Sequence, residues 1–441
     1  MKKVFIKTYG CQMNVYDSER IMESLSENGY KQTNNLNESD LIVFNTCHIR
    51  EKAAEKLYSD IGRLKKIRKE KKIIVAGCVA QAEDKEIIQR MPEVDLVIGP
   101  QTYHKIPELV SKLNKKKKYV ETDFPIENKF NLLSKRVRSD KKPTAFLTIQ
   151  EGCDKFCTFC VVPYTRGAEY SRTTKELIEE TKQLINQGVS EITLLGQNVN
   201  AYHGEGLNGR ISNLANLIYE LSKLDGLERI RYTTNHPVDV NQELIDAHKD
   251  IKKLMPYIHL PIQSGSNRIL KLMNRKHTCE EYIEIIENIR NARNDIALSS
   301  DFITGFPGET DKDFESTIDL VKKIKYAQAY SFNYSPRPGT PSADYERQIP
   351  QNIKSERLKL LQDILKQQQL EFNNQSKGKI VRILVERMGK EINQLVGKTP
   401  HMQTVFFNNI KNKSKIGDFK DVRIDAIKVN NLSGELVEFS S

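Results

Sequence analysis

Cys153, Cys157 and Cys160 stand close together in Gln150-Glu151-Gly152-Cys153-Asp154-Lys155-Phe156-Cys157-Thr158-Phe159-Cys160, a C-x3-C-x2-C spacing. With 7 cysteines in 441 residues, a given cysteine finds partners at both +4 and +7 by chance with a probability of roughly 0.0003, so the cluster reads as a metal or redox motif. A structural zinc site is closed by four ligands, and no fourth cysteine or C-x2-C partner lies nearby. Three thiolates on an iron-sulfur cluster leave one iron open to a small molecule, which turns an electron carrier into a reaction centre. The ligand count favours that reading over zinc.

Cys11, Cys47 and Cys78 repeat a second device, each following an apolar run: Val4 to Ile6, Leu41 to Phe44 and Ile73 to Ala76. If these runs are strands of a parallel sheet, their C-terminal ends open onto one edge and the three thiols can converge there. The other reading is three unrelated buried thiols, because free cysteine is a common core residue. Repetition at equivalent positions favours convergence. Cys279, at an expected helix start with Thr278 as cap, reads as structural. The 8 histidines show no pair at metal-ligand spacing on a helix.

The elements that must position these cysteines fall into regions. Over residues 1–112 the apolar runs, with Leu96 to Ile98 as a fourth, alternate with helical patterns such as Tyr16 to Glu27, where Asp17 or Ser18 would cap and Gly29 follows the end. Spacings of a little over thirty residues fit strand plus crossover helix, hence a parallel α/β sheet. Residues 113–143, with Lys115 to Lys118 as a charge run and Arg136, Arg138, Lys141 and Lys142 following, read as a basic, solvated linker. From 144 to 371 strand alternates with helix, the strands lying near Phe146 to Gln150, Glu191 to Gly196, Arg229 to Thr233, Tyr257 to Pro261, Ala297 to Ile303 and Ala329 to Asn333. That predicts a partial (β/α)6 barrel with its site at the strand C-termini, a doubly wound open sheet being the alternative. A polar helix from Gln351 to Phe372 ends this region. Residues 372–441 carry strand-like runs at Lys379 to Val385, Gln394 to Gly397, Thr404 to Phe407 and Val422 to Val429, with 12 Lys+Arg against 7 Asp+Glu. A small basic all-β barrel suits RNA binding.

Composition sets outer limits. Apolar residues at 38% and charged residues at 29% are those of a folding chain. A formal charge of +11 favours a polyanionic partner, although lysine-rich surface drift accounts for it equally well. The opening MKKVFIKTYGCQMN has too short an apolar stretch for a signal peptide, and no run is long enough to span a membrane. A soluble, cytoplasmic protein is expected.

The triplet Cys153, Cys157 and Cys160, with an aromatic before its last cysteine, resembles the signature of the radical S-adenosylmethionine superfamily. Tyr9-Gly10-Cys11-Gln12-Met13-Asn14, Asn45-Thr46-Cys47 followed by Ile49-Arg50-Glu51-Lys52, and Ala76-Gly77-Cys78 resemble the N-terminal domain of its methylthiotransferases. Val161-Val162-Pro163-Tyr164-Thr165-Arg166-Gly167 and Leu195-Gly196-Gln197-Asn198-Val199-Asn200-Ala201-Tyr202 resemble the branch acting on N6-isopentenyladenosine of tRNA. The resemblance covers essentially the whole chain, including a terminal module similar to the TRAM RNA-binding domain.

The resemblance implies two 4Fe-4S clusters: one on Cys153, Cys157 and Cys160, whose open iron chelates S-adenosylmethionine, and an auxiliary one on Cys11, Cys47 and Cys78 that delivers sulfur. It implies methylthiolation of C2 of the adenine next to the anticodon, by a 5′-deoxyadenosyl radical that abstracts hydrogen and a second S-adenosylmethionine that supplies the methyl group. An aromatic C–H offers no acidic proton, so radical chemistry is the fitting route. Phe159 is expected on the cofactor adenine, with Gly196, Gln197 and Gln263 as further cofactor contacts. Gly305-Phe306-Pro307-Gly308-Glu309 is either a pocket-shaping loop or a plain tight turn. The target base must leave its stack, which favours an exposed anticodon loop. An electron donor and sulfur- or cluster-delivery proteins are the implied partners. Sibling methylthiotransferases, acting on a ribosomal-protein aspartate or on threonylcarbamoyl-adenosine, are the nearest alternative, and a zinc-containing, non-catalytic RNA-binding protein is the more distant one.

Overall fold

The computed structural model describes residues 1–48, 51–64, 71–113, 117–125, 129–133, 136–138, 141–409 and 414–437. Ile49 and Arg50 of the motif quoted above, and Lys115 and Lys116 of the charge run, lie outside the described residues, as do the side chains of Glu51 and Lys52. The chain divides into two compact units, 1–140 with 151–154 and 160–170, and 141–150 with 155–159 and 171–441.

In the first unit, among the described residues, strands β1 (Lys2–Thr8), β2 (Tyr30–Gln32), β3 (Leu41–Thr46), β4 (Lys72–Gly77), β5 (Leu96–Ile98) and β6 (Tyr119–Glu121) form one parallel sheet in the order β2-β1-β3-β4-β5-β6. Successive side chains of a strand face opposite ways, and both faces here are apolar. Val43, Ile74 and Ile98 meet Ile21 and Leu25 of helix Gln12–Glu27 on one side, while Phe44, Val75 and Val97 meet Leu57, Ile61 and Ile87 on the other. Each such fully buried side chain stabilises by about 1.5–3 kcal/mol.

The unit differs from the sequence reading in its extra edge strand β2, in a helix start and in the segment after 112. Helix Gln12–Glu27 starts four residues earlier than Tyr16, so that Asp17 and Ser18 are interior helix residues; the N-cap is Cys11, whose side chain makes no capping hydrogen bond. The segment read as a solvated linker supplies β6, and two of its basic residues are buried. Arg136 pairs with Glu19 at 3.2 Å and Glu23 at 3.1 Å, and Lys129 with Glu151 at 2.7 Å. A buried cation demands such partners, which lie too far along the chain for local pattern to show them.

In the second unit six parallel strands form two sheets of three, ordered Arg229–Tyr232, Glu191–Leu195, Thr144–Thr148 and Tyr257–His259, Ala297–Thr304, Gln328–Asn333. A parallel bridge between Ile230 and Leu254 links them. Helices cover the outer faces, where Leu147, Ile192, Ile230, Leu298 and Phe302 pack against Leu177, Leu217, Tyr282 and Val321. This is the expected partial (β/α)6 barrel. Helix Gln351–Asn374 caps the last strand, its Gln368 accepting from the Tyr326 amide at 3.0 Å.

Beyond that helix the strands Ile380–Met388, Gln394–Lys398, Thr404–Asn408, Leu432–Leu436 and Phe419–Ile427, in that order, close into a barrel around Val385, Leu395, Phe407 and Ile424. Leu432–Leu436 is a strand beyond those expected. Closure leaves no unpaired edge. Two buried arginines of the central sheet seat this barrel by its main chain. Arg229 donates to the carbonyls of Lys398 at 2.9 Å and Arg382 at 2.8 Å, and Arg231 to those of Thr399 at 2.9 Å and Pro400 at 2.7 Å. Arg231 also pairs with Glu191 at 2.9 Å. Replacing Arg231 with alanine leaves the buried Glu191 carboxylate with only Arg229 at 3.7 Å and takes the Arg231 donor from the Thr399 and Pro400 carbonyls, so Arg231→Ala is expected to cost about 3 kcal/mol and to speed amide exchange in Gln394–Lys398; unchanged protection there would count against this seat.

Candidate functional site

In the first unit the three N-terminal cysteines stand at the ends of neighbouring strands. Cys11 follows β1, Cys47 follows β3, and Cys78 opens the helix Cys78–Glu83 directly after β4; these three strands are neighbours in the sheet. The chain is folded tightly here. The Tyr9 amide donates to the Asn45 carbonyl at 2.8 Å, and the Asn45 side chain donates to the Asn14 carbonyl at 2.8 Å and to Ser18 Oγ at 2.9 Å. Gly10 has φ +106°, and a Cβ on it would overlap the Cβ of Cys47. Gly10→Ala therefore combines a disfavoured backbone with a clash and should destabilise the protein by about 1–3 kcal/mol, read as a lower urea midpoint.

The thiols influence one another. Cys11 is pulled down to about 6, first by a hydrogen bond from the Cys47 thiol and then, against burial, by the Arg166 guanidinium. Burial pushes Cys78 up, Arg166 opposing it. Arg166 itself is buried and spends its whole fork: Nε lies 3.4 Å from Cys78 Sγ, Nη1 donates to Glu151 Oε1 at 2.6 Å, and Nη2 to Asp17 Oδ2 at 2.6 Å and Asn14 Oδ1 at 3.3 Å. The Cys11 thiol reaches the same Asn14 oxygen at 3.7 Å. Lys129 supplies the second cation, on Glu151 at 2.7 Å and 4.0 Å from Asp17. Burial raises the Glu151 carboxyl, but Lys129 and Arg166 outweigh it and hold it below its usual range.

Three sulfur donors following neighbouring strands, two of them, Cys11 and Cys78, under the Arg166 cation, fit an iron-sulfur cluster. Among the described residues no three His, Cys, Asp or Glu side chains are gathered to hold a single metal ion. A lone zinc would need its donors within about 2.0–2.3 Å of one point.

The second cysteine group is carried by the segment after Thr144–Thr148, the first strand of the central sheets. Cys153 and Cys160, both partly exposed, belong to the first unit, where the Cys153 amide donates to the Gly167 carbonyl at 3.3 Å. Cys157 belongs to the second unit and is buried, 3.7 Å from Nη1 of Arg275, whose Nη2 is tied to the Pro261 carbonyl. The loop around it is pinned: Thr158 N donates to the Met273 carbonyl at 3.1 Å, Thr158 Oγ1 to the Leu272 carbonyl at 2.9 Å, and Asn274 Nδ2 to the Phe156 carbonyl at 2.9 Å. All seven cysteines are thiols, none in a disulfide. Cys279 stands apart, buried at the start of Cys279–Ala292 behind its Thr278 cap, its thiol pushed up to about 12 by burial.

The other predicted residues lie in the second unit. Phe159 packs against Ile269, Met273, Phe306 and Tyr334. Gly196 and Gln197 follow strand Glu191–Leu195 in a turn held by Gln150, whose Oε1 accepts from the amides of Gln197 at 2.9 Å and Asn198 at 3.2 Å; a Cβ on Gly196 would overlap that oxygen. Gln263 adopts φ +81° and bridges to the strand Ala297–Thr304, its amide donating to the Asp301 carbonyl at 3.0 Å. Gly305 to Glu309 form a tight turn in which Glu309 accepts from the Gly305 amide at 2.9 Å and from Arg357 at 2.7 Å. Arg166, Asp17, Glu151, Lys129, Arg275 and Gln150 were not anticipated. Arg166 lies inside a recognised motif, Gln150 and Glu151 stand just before the C-x3-C-x2-C cysteines, and Asp17 reads locally as a helix cap; Lys129 and Arg275 carry no local signal.

Known proteins agree with this architecture. The family model described as Uncharacterized protein family UPF0004 matches residues 3–99, Radical SAM superfamily matches 147–321, and TRAM domain matches 375–437. A solved structure described as the radical S-adenosylmethionine methyltransferase TsrM of Kitasatospora setae, with cobalamin and a 4Fe-4S cluster bound, superposes with a TM-score of 0.57 at 12% identity, over 78% of this chain and 74% of that one. That likeness speaks to the fold. Two proteins named tRNA-2-methylthio-N(6)-dimethylallyladenosine synthase, from Agrobacterium fabrum and Rickettsia conorii, are each 54% identical over 99% of this chain, covering 97% and 100% of their own lengths. At that identity over full length, with the cysteine-bearing domains and the terminal barrel all matched, the chain belongs to the tRNA-2-methylthio-N(6)-dimethylallyladenosine synthase family of radical SAM enzymes.

Proposed function

We propose that this enzyme installs a methylthio group at C2 of N6-isopentenyladenosine, beside the anticodon of tRNA, consuming two molecules of S-adenosylmethionine. The observation that carries the reading is full-length 54% identity to relatives bearing that name. Cys153, Cys157 and Cys160 hold one 4Fe-4S cluster, and Cys11, Cys47 and Cys78 hold a second. The first group, when bound, supplies an electron and an open iron to S-adenosylmethionine, and the second supplies a place to hold sulfur. This chain's own residues do the rest. Arg275 and the pinned loop orient Cys157. Phe159, Gly196, Gln197 and Gln263 contact S-adenosylmethionine. The basic terminal barrel binds the anticodon arm through phosphate contacts, so affinity falls as salt rises. The reaction takes place in the cytoplasm, with a protein electron donor and sulfur- or cluster-delivery proteins as partners. No described helix is long and apolar enough to cross a membrane.

The test is mass spectrometry of nucleosides from isopentenylated tRNA, after incubation with anaerobically reconstituted protein, reductant and S-adenosylmethionine. A methylthio gain on that nucleoside is the expected result. Formation of 5′-deoxyadenosine with the nucleoside unchanged would keep the radical class and redirect the substrate to the sibling targets.

A further inference from the structure

We infer that Arg166 is a positioning residue for the N-terminal cysteine site: its guanidinium anchors Cys78 and fixes a positive charge against the sulfurs, setting the reduction potential of a cluster held there. The inference rests on the two-cluster reading above. Three observations carry it. Arg166 Nε is 3.4 Å from Cys78 Sγ. Its Nη2 donates to Asn14 Oδ1 at 3.3 Å, and that oxygen lies 3.7 Å from the Cys11 sulfur, so the guanidinium stands beside a second of the three cysteines. Its remaining donors are locked by Glu151 and Asp17, both at 2.6 Å and both buried, so the fork has no freedom to turn away from the sulfur.

Charge count explains why an arginine is needed. Asp17 and Glu151 are balanced by Arg166 and Lys129 before any cysteine ionises, so ligand thiolates add negative charge beside a buried network that is already neutral. A hydrogen bond to a ligand sulfur and a nearby cation both favour the reduced, more negative cluster and raise its potential. Only the planar, five-donor guanidinium can serve a sulfur, an amide oxygen and two carboxylates at once. Arg166 also lies six residues after Cys160, so the stretch that carries the last cysteine of the C-x3-C-x2-C motif continues into the anchor of the other site.

The test uses the full-length chain with Cys153, Cys157 and Cys160 all changed to alanine, so that any iron-sulfur signal comes from Cys11, Cys47 and Cys78. Iron per chain, melting temperature and cluster midpoint potential are measured with Arg166 intact, with Arg166→Lys, and with the charge-balanced pair Arg166→Gln, Asp17→Asn. Because the pair removes one cation and one anion together, its midpoint reads the lost hydrogen bond to Cys78, which is expected to move it to more negative values, so that the oxidised-to-reduced ratio at the parent midpoint rises about tenfold, 59 mV for one electron. Arg166→Lys should fall between. Loss of iron with an unchanged melting temperature would equally support the anchoring role. Full iron at an unshifted midpoint in both variants would overturn the inference, as would collapse of the fold in both, which would assign the network to stability alone. Failure of the parent with Arg166 intact to hold any iron-sulfur cluster would instead refute the two-cluster reading, a separate result.

Discussion

Changing Cys157 to alanine should abolish the cleavage of S-adenosylmethionine, with 5′-deoxyadenosine formation falling below about one thousandth of the parent rate, about 4 kcal/mol in barrier terms. Cys157 is the buried member of its motif and has Arg275 3.7 Å from its sulfur, in a loop pinned through Thr158 and Asn274. Alanine leaves that loop in place and removes only the thiolate, so the loss reads on ligation. Two remaining cysteines cannot hold three irons and leave the fourth open. Chromatography of the adenosine products after reduction checks it. Cleavage at the parent rate would remove Cys157 from the cofactor site.

Changing Cys47 to alanine should separate the two halves of the reaction. Cys47 is buried, against the Gly10 backbone, and follows its own strand, Leu41–Thr46, away in sequence from the segment that carries Cys153, Cys157 and Cys160. Cleavage of S-adenosylmethionine is therefore expected to stay within about threefold of the parent, while methylthio product falls below about one hundredth, an effect confined to one step. Both are read from one incubation by mass spectrometry. Methylthio product at the parent rate in anaerobically reconstituted Cys47→Ala would show that this site does not hold the sulfur.

The contrast between these variants follows the part of the molecule that was legible beforehand. The C-x3-C-x2-C motif is contiguous, and the runs Leu41 to Phe44 and Ile73 to Ala76 are continuous because strands covered on both faces are apolar throughout. Edge elements were missed for the converse reason. Tyr30–Gln32 and Tyr119–Glu121 are short and partly polar; Leu432–Leu436, paired on both sides in the closed barrel, was missed because it contains Ser433, Gly434 and Glu435. The start of helix Gln12–Glu27 was placed too late because its cap is a cysteine with no capping bond, while Asp17, which looks like a cap, turns to Arg166. The Arg166 cluster draws on positions 17, 129, 151 and 166, and no window along the chain contains them all. Phe159 packs against Ile269 and Met273, contacts that no spacing rule reports.

Arg229 and Arg231 grip main-chain oxygens of the terminal barrel, and every residue type offers the same carbonyl. Mutational drift across the barrel's outer face therefore leaves its mooring intact for as long as the strands close. Natural selection can retune that face while the catalytic body stays unaltered, and an unrelated closed barrel offering the same carbonyls at 382 and 398–400 would be an interchangeable spare part.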